Sequence, residues 1–212
     1  MNTKLLQTIT LLGAGVTAGL MAGLFAAFAY AVMPGLGRTD DQTFISAMQK
    51  INVAILNGWF MICFLGGLVL TVAALLLHLR SARGTLPWII AALVFYVAML
   101  VITAAVNVPL NDELARAGDV IANPDVVREQ FESRWVTWNI VRAVVSTAAF
   151  AALAYALVVH GRETAPQAQP TAAAAATAAA APEVRPTWMY PAEQIGNGNG
   201  GNRSLPSVTD GR

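Results

Sequence analysis

The chain has 212 residues, a formal net charge of +1, 56% hydrophobic and only 12% charged residues, and a mean hydropathy of +0.57. Soluble domains carry about 25% charged residues, and here uncharged, His-free runs cover 5–37, 51–77, 84–111 and 143–159, which excludes an ordinary soluble enzyme. The near-neutral balance argues against a nucleic-acid binder. The single Cys63 excludes an intrachain disulfide framework and a multi-cysteine metal cluster.

A helix crossing a bilayer needs about 20 mostly apolar residues. The four runs therefore predict an all-α protein, a four-transmembrane-helix bundle with an outer amphipathic helix and a disordered C-terminal tail. The first span covers about 5–33 and stops at Pro34-Gly35. It is too long for a signal-peptide core of 7–15 residues and reads as a retained span. Gly15, Gly19 and Gly23 line one of its faces, a pattern that lets helices approach closely. Packing within the molecule is the expectation, with a homo-oligomer seam as the alternative.

Next comes a short outer helix. Thr39 is its expected cap, completed by Gln42 as a capping box. Phe44, Ile45, Met48, Ile51 and Ile55 then recur at helical spacing, and Asn57-Gly58 breaks the pattern. The second span covers about 59–79. The third, about 87–108, starts with Pro87 in its first turn and is bent or ended by Pro109, leaving 110–122 as a connector. Asn123-Pro124-Asp125 opens the last helix, some 35 residues long, of which about 136–159 lie in the membrane. Residues 1–162 form the membrane domain. Residues 163–212, rich in Ala, Pro, Gly and Asn, read as a disordered tail. Its aromatic island, Trp188-Met189-Tyr190, reads as a weak membrane or partner contact.

Four spans put both termini on one side. That side has short loops bearing Lys4, Arg80, Arg83 and Arg162, and their density marks it as cytoplasmic. The expected location is a bacterial inner membrane. The expected partners are membrane lipid and a hydrophobic small molecule, not nucleic acid.

Candidate chemistry gathers at one membrane edge. The clean run 143–159 covers only about 25 Å at 1.5 Å per residue, short of the roughly 30 Å hydrocarbon core. The embedded helix must reach back to Arg142 and approach Asn139. Trp135, Trp138, Asn139 and Arg142 share a face. No Asp, Glu or His lies inside any apolar run, so Arg142 has no counter-ion at its own depth. The loop acids Asp112 and Glu132 are within reach of it, and a bound anion is the other option. Asn107 and Asn111 share a face if the helix survives Pro109. Gln49 and Asn52 share a face of the outer helix and, with Asn57, would roof a pocket. The alternative reading of these groups is interfacial tryptophans, a snorkelling arginine and amides that cap helix ends. His78 and His160 fall at span boundaries beside Arg80 and Arg162 and read as interfacial residues rather than haem ligands. The charge-free core argues against an ion-coupled transporter.

The strings GLMAGLFAAFAYAVMPGL, DDQTFISAMQKINVAILN, VNVPLND and RWVTWNIVRA resemble the anthrone oxygenase-like family of small integral membrane proteins, including its bacterial branch of unassigned function. The resemblance covers about 10–160. It implies a four-helix membrane fold and, by analogy with fungal polyketide-pathway members, oxidation of anthrones to anthraquinones by O2 with no metal, flavin or other cofactor. Family motif positions match at Asn107, Pro109, Asn111, Trp135, Trp138, Asn139 and Arg142. The residue roles are a separate inference. Arg142 with Asn139 would stabilise an enolate, and Asp112 would be the base, with Asp41 and Glu132 as alternatives. Trp135, Trp138, Asn107, Asn111, Asn52 and Gln49 would bind the substrate. A non-catalytic membrane module that binds a lipid, a quinone or a partner protein is the alternative from another class.

Overall fold

The structure, a computed structural model, describes residues 3–80, 84–119 and 121–165. Every regular element among them is helical. Four helices are long and apolar enough to cross a membrane: α1 (Thr3–Leu36), α3 (Gly58–His78), α4 (Leu86–Arg116) and α5 (Pro124–Thr164). Between the first two lies the outer helix α2 (Asp41–Ala54). The predicted tail contributes residues 163 and 164 to the end of α5. The rest of it beyond 165, with Trp188-Met189-Tyr190, lies outside the described residues.

Neither proline ends its helix at once: α1 continues past Pro34, the expected stop, to Leu36, and α4 continues past Pro109, which was expected to bend or end it. Pro34 and Pro109 each follow a π-helical turn, Phe28–Val32 in α1 and Thr103–Asn107 in α4. In these turns the Met33 and Val108 amides donate to carbonyls five residues back, on Phe28 and Thr103. Proline has no amide to donate and its ring crowds the carbonyl four residues earlier. One widened turn just before it absorbs both defects. The α4 helix therefore runs on through Pro109 to Arg116, and the expected connector at 110–122 shrinks to 117–123. Gly118, at φ 73°, supplies the left-handed residue that ends it.

The outer helix is capped one residue later than expected. Asp40, not Thr39, accepts from the Thr43 amide (2.9 Å) and hydroxyl (2.6 Å). These bonds, the hydroxyl one first, hold the Asp40 carboxyl below its ordinary pKa. Thr39 donates to the Leu36 carbonyl instead, and Gln42 to the Asp119 carbonyl. Asn57 serves two helices: its Nδ2 donates to the Ala54 carbonyl ending α2, while its Oδ1 accepts from the Phe60 amide starting α3.

The α1 helix packs along α3 and α5, and α4 packs along α5 and α3. Ala14, Ala18, Ala74, Ala92, Ala149 and Ala156 are buried in the seams, and small side chains there bring the helices close. The glycine repeat does not do this job. A Cβ on Gly15 or Gly23 would meet nothing within 4 Å, and only Gly19 lies against a neighbour, Phe150. The closest approach is instead at Gly67, whose missing side chain makes room for Tyr96. The Tyr96 hydroxyl there donates to the Cys63 and Phe64 carbonyls. A second core lies beyond the spans, where α2 buries Phe44, Ile45 and Met48 against Leu110, Leu114, Phe131 and Trp135.

The histidines expected at an interface are buried and joined. His78 Nε2 and His160 Nδ1 are 3.2 Å apart. His78 Nδ1 donates to the Ala74 carbonyl, and His160 Nε2 meets the Thr8 hydroxyl. The pair ties α1, α3 and α5 together at the end of the molecule opposite α2.

Candidate functional site

Where α2 covers the ends of α1, α4 and α5 there is a cavity of about 520 Å³. That is the size of a site for a drug-sized ligand. Both π turns contribute to its wall, through Phe28 in α1 and through Thr103 and Asn107 in α4. Its aromatic surfaces are Phe25, Phe28, Phe60, Phe64 and Trp135.

Arg142 stands at the back, 6% exposed. Its guanidinium lies over the Phe25 ring at 4.3 Å and the Trp135 ring at 5.5 Å. Nη2 donates to Asn139 Oδ1 at 2.9 Å, and Asn139 Nδ2 donates to the Phe25 carbonyl at 3.0 Å. Asn139 is thus a strut: it fastens α5 to α1 and turns its oxygen towards the guanidinium. Arg142 makes no ion pair among the described residues, and its Nε has no hydrogen-bond partner. Trp135 is held in place by donating Nε1–H to Asn111 Oδ1 at 2.8 Å.

Asn107 is 1% exposed, and neither its Nδ2 nor its Oδ1 has a partner. Asn52 Nδ2 is likewise buried and unpartnered. Residues of the cavity wall therefore carry three unused donors and one unused acceptor. Buried polar groups are normally satisfied, so four orphan atoms around one hollow are a concentrated exception.

Arg142, Asn139, Asp112, Trp135, Asn107, Asn111, Asn52 and Gln49 all line this cavity. Trp138 does not. It is 38% exposed, because the arc from Trp138 to Asn139 spans about 100° of helix and only the Asn139 flank faces inward. Gln49 is spoken for, since its Nε2 donates to the Leu114 and Gly118 carbonyls and pins α2 to the end of α4. Asn57 is a cap and not part of the roof.

Among the candidate acids, Asp112 sits exposed on the rim and is the one acid in the lining. Asp41 and Glu132 both bind Arg128, at 2.9 and 2.7 Å. The same guanidinium donates to the Thr39 and Gly37 carbonyls and lies over the Phe44 ring. Neither acid reaches Arg142. They belong to a clamp that fastens the α1–α2 turn to α5. Among the described residues no group of three or more His, Cys, Asp or Glu side chains converges as a metal site would require.

Sequence reasoning overlooked the phenylalanines. Phe25 and Phe28 are three apart in the first span, and Phe60 and Phe64 four apart in the second. Such spacing gives each pair one face, but an apolar face inside an apolar span carries no signal of what it lines.

Comparison with known families adds the deciding observation. Residues 59–152 match the anthrone oxygenase family model. This bears out, over that stretch, the resemblance carried by the sequence motifs. The anthrone oxygenase match runs from the start of α3 into α5. It takes in Asn107, Asn111, Asp112, Trp135, Asn139 and Arg142, and leaves out α1 and α2 with Phe25, Phe28, Gln49 and Asn52. No curated protein and no solved structure matches the chain.

Proposed function

We propose that the protein is a four-helix-bundle oxygenase of a bacterial inner membrane, with both termini cytoplasmic. In this reading it oxidises a flat, hydrophobic phenolic or anthrone-like compound with O2 and needs no cofactor. The family match supports the reaction class, and Arg142 is the observation that carries the reading. An arginine costs about 2.5–3.5 kcal/mol at the centre of a span and less near its edge, while a cation over an aromatic face returns about 0.5–2 kcal/mol. A guanidinium held this way without an acid is short of negative charge. A ligand oxyanion supplies it.

The chemistry follows from that complementarity. Asp112 takes a proton from the methylene carbon between two rings. The charge delocalises onto the ring carbonyl oxygen, and that oxyanion accepts hydrogen bonds donated by the free Arg142 Nε–H and the Asn107 and Asn52 Nδ2–H groups. Phe25, Phe28 and Trp135 hold the rings flat. The delocalised carbanion passes one electron to O2, and the carbon radical and superoxide combine to form the new C–O bond. The peroxide takes the proton back from Asp112. Loss of the second C–H proton with cleavage of the O–O bond then leaves a carbonyl and one water. In sum, a CH2 group and one O2 become a C=O group and one H2O.

The test is O2 uptake by membranes containing the protein, with a panel of anthrones and hydroquinones. Empty membranes correct for autoxidation. Arg142→Ala is expected to insert normally and lose the excess uptake. Full activity in that variant would remove Arg142 from the reaction.

One observation favours a second reading, a non-catalytic module that binds a lipid, a quinone or a partner protein. The one acid in the lining is exposed, so no buried base faces Arg142. In that case quinols would bind, with protection of the fold against heat, and no O2 would be consumed.

A further inference from the structure

The cavity has a polar back and an apolar mouth. Asn107, Asn139 and Arg142 are buried. The exposed lining residues are Val53 (77%) and Leu56 (69%) at the α2–α3 corner, Met61 in the first turn of α3, and Val108, Asp112 and Ala115 on α4, all but Asp112 apolar. Trp59, 81% exposed, stands beside them. The mouth thus opens between the α2–α3 corner and α4.

This rim does not stand apart from the rest of the surface. Exposed Ile62, Leu65 and Val69 continue it down α3, and exposed Val94, Val97 and Val101 continue it down α4. Those stripes belong to helices long and apolar enough to cross a membrane, so the same solvent that covers the stripes covers the rim. Large apolar patches are rarely left to water, and an exposed tryptophan at a span end fits the interfacial belt. Asp112, the one charged group on the rim, then marks the level of the headgroups.

We infer that the mouth is a lateral portal filled by lipid acyl chains at rest, and that ligand and O2 enter the cavity from the bilayer rather than from water. The portal itself stands on the rim geometry. Only the identity of what passes through it rests on the oxygenase reading. Entry from the membrane also explains how a site with an apolar mouth and a polar back works. The bilayer concentrates flat apolar molecules and O2, and the polar back selects among them those with an oxygen to bind.

The experiment is nitroxide accessibility in the full chain with Cys63→Ser, reconstituted in phosphatidylcholine–phosphatidylglycerol vesicles. Single cysteines replace Val53, Leu56 or Val108 at the rim, Val94 as the lipid-facing reference and Asp119 as the loop reference. All five positions are exposed, so labelling one leaves the core alone. Power saturation compares collisions with O2, which favours lipid, and with a water-soluble nickel chelate. Rim labels that follow Val94, with O2 contact exceeding nickel contact, are the expected result. Rim labels that follow Asp119 would overturn the portal. No turnover is needed for this readout. If the rim lies in lipid and no anthrone is oxidised, it is the oxygenase reading that fails. If both stand, a bulky thiol reagent at Leu56 is expected to cause loss of O2 uptake and the same reagent at Val94 to leave it unchanged.

Discussion

Asn107 is the residue whose cost to the fold is plainest. Each buried polar atom without a partner costs about 1–3 kcal/mol, and here both ends of one amide are unmet. A leucine of similar length carries no such penalty. Asn107→Leu is therefore expected to raise the thermal unfolding temperature in detergent, or leave it unchanged, while sharply reducing anthrone-dependent O2 uptake. A drop in both would mean that the amide serves packing. Asn139 should behave oppositely, because its Nδ2 fastens α5 to the Phe25 carbonyl of α1 while its Oδ1 accepts from Arg142. Arg142 and Asn139 were legible in the sequence because the apolar run after them is too short to cross a bilayer. Trp138 was not separable from Trp135, since spacing defines an arc of the helix and not which flank of it meets the neighbours. The fate of Asp41 was also out of reach, because only the folded α1–α2 turn brings it to Arg128, whereas Glu132 stands four residues from Arg128 on α5, a pairing its spacing already offered.

The two π turns are the elements on which the cavity depends. Each sits just before a proline, and together they provide Phe28, Thr103 and Asn107 to the wall. Widened turns of this kind are frequent at functional sites. Restoring an amide at residue 109 lets the ordinary ladder compete with the widened turn, which would rotate Asn107 away from the cavity. Pro109→Ala is expected to keep α4 helical by circular dichroism while lowering turnover by on the order of tenfold to a hundredfold, the usual effect of a displacement near 1 Å. Unchanged turnover would show that packing against α5 alone sets the turn. At this scale the sequence was half legible. Apolar runs located the four helices long and apolar enough to cross a membrane, and the Phe44, Ile45, Met48 periodicity located the outer helix. Proline alone does not say whether a helix stops or adjusts. That choice is made by the neighbours, here Leu110 and Leu114, which α2 and Phe131 bury and so hold helical beyond the proline.

The whole molecule is polarised. One end carries the cavity under α2. The other carries the His78–His160 pair and the Glu163 carboxylate, which accepts from the Gly84 amide and the Thr85 hydroxyl across the short α3–α4 turn. Lys4, Arg80 and Arg162 lie at this second end, whereas the basic residues Arg38, Lys50, Arg116, Arg128 and Arg134 of the cavity end are spread over longer segments and mixed with acids. Orientation follows basic residues in short loops next to the spans, and acids weigh little. The second end should therefore face the cytoplasm, which sets the cavity at the outer surface. A reporter fused after residue 212 that works only in the cytoplasm is expected to be active, and one that works only in the periplasm to be silent. A second fusion within 117–123, between α4 and α5, should give the reverse pattern. If the first fusion is active in the periplasm, the molecule is inverted and the cavity opens towards the inner leaflet. The portal geometry would be unchanged, but the substrate pool would be that of the cell interior.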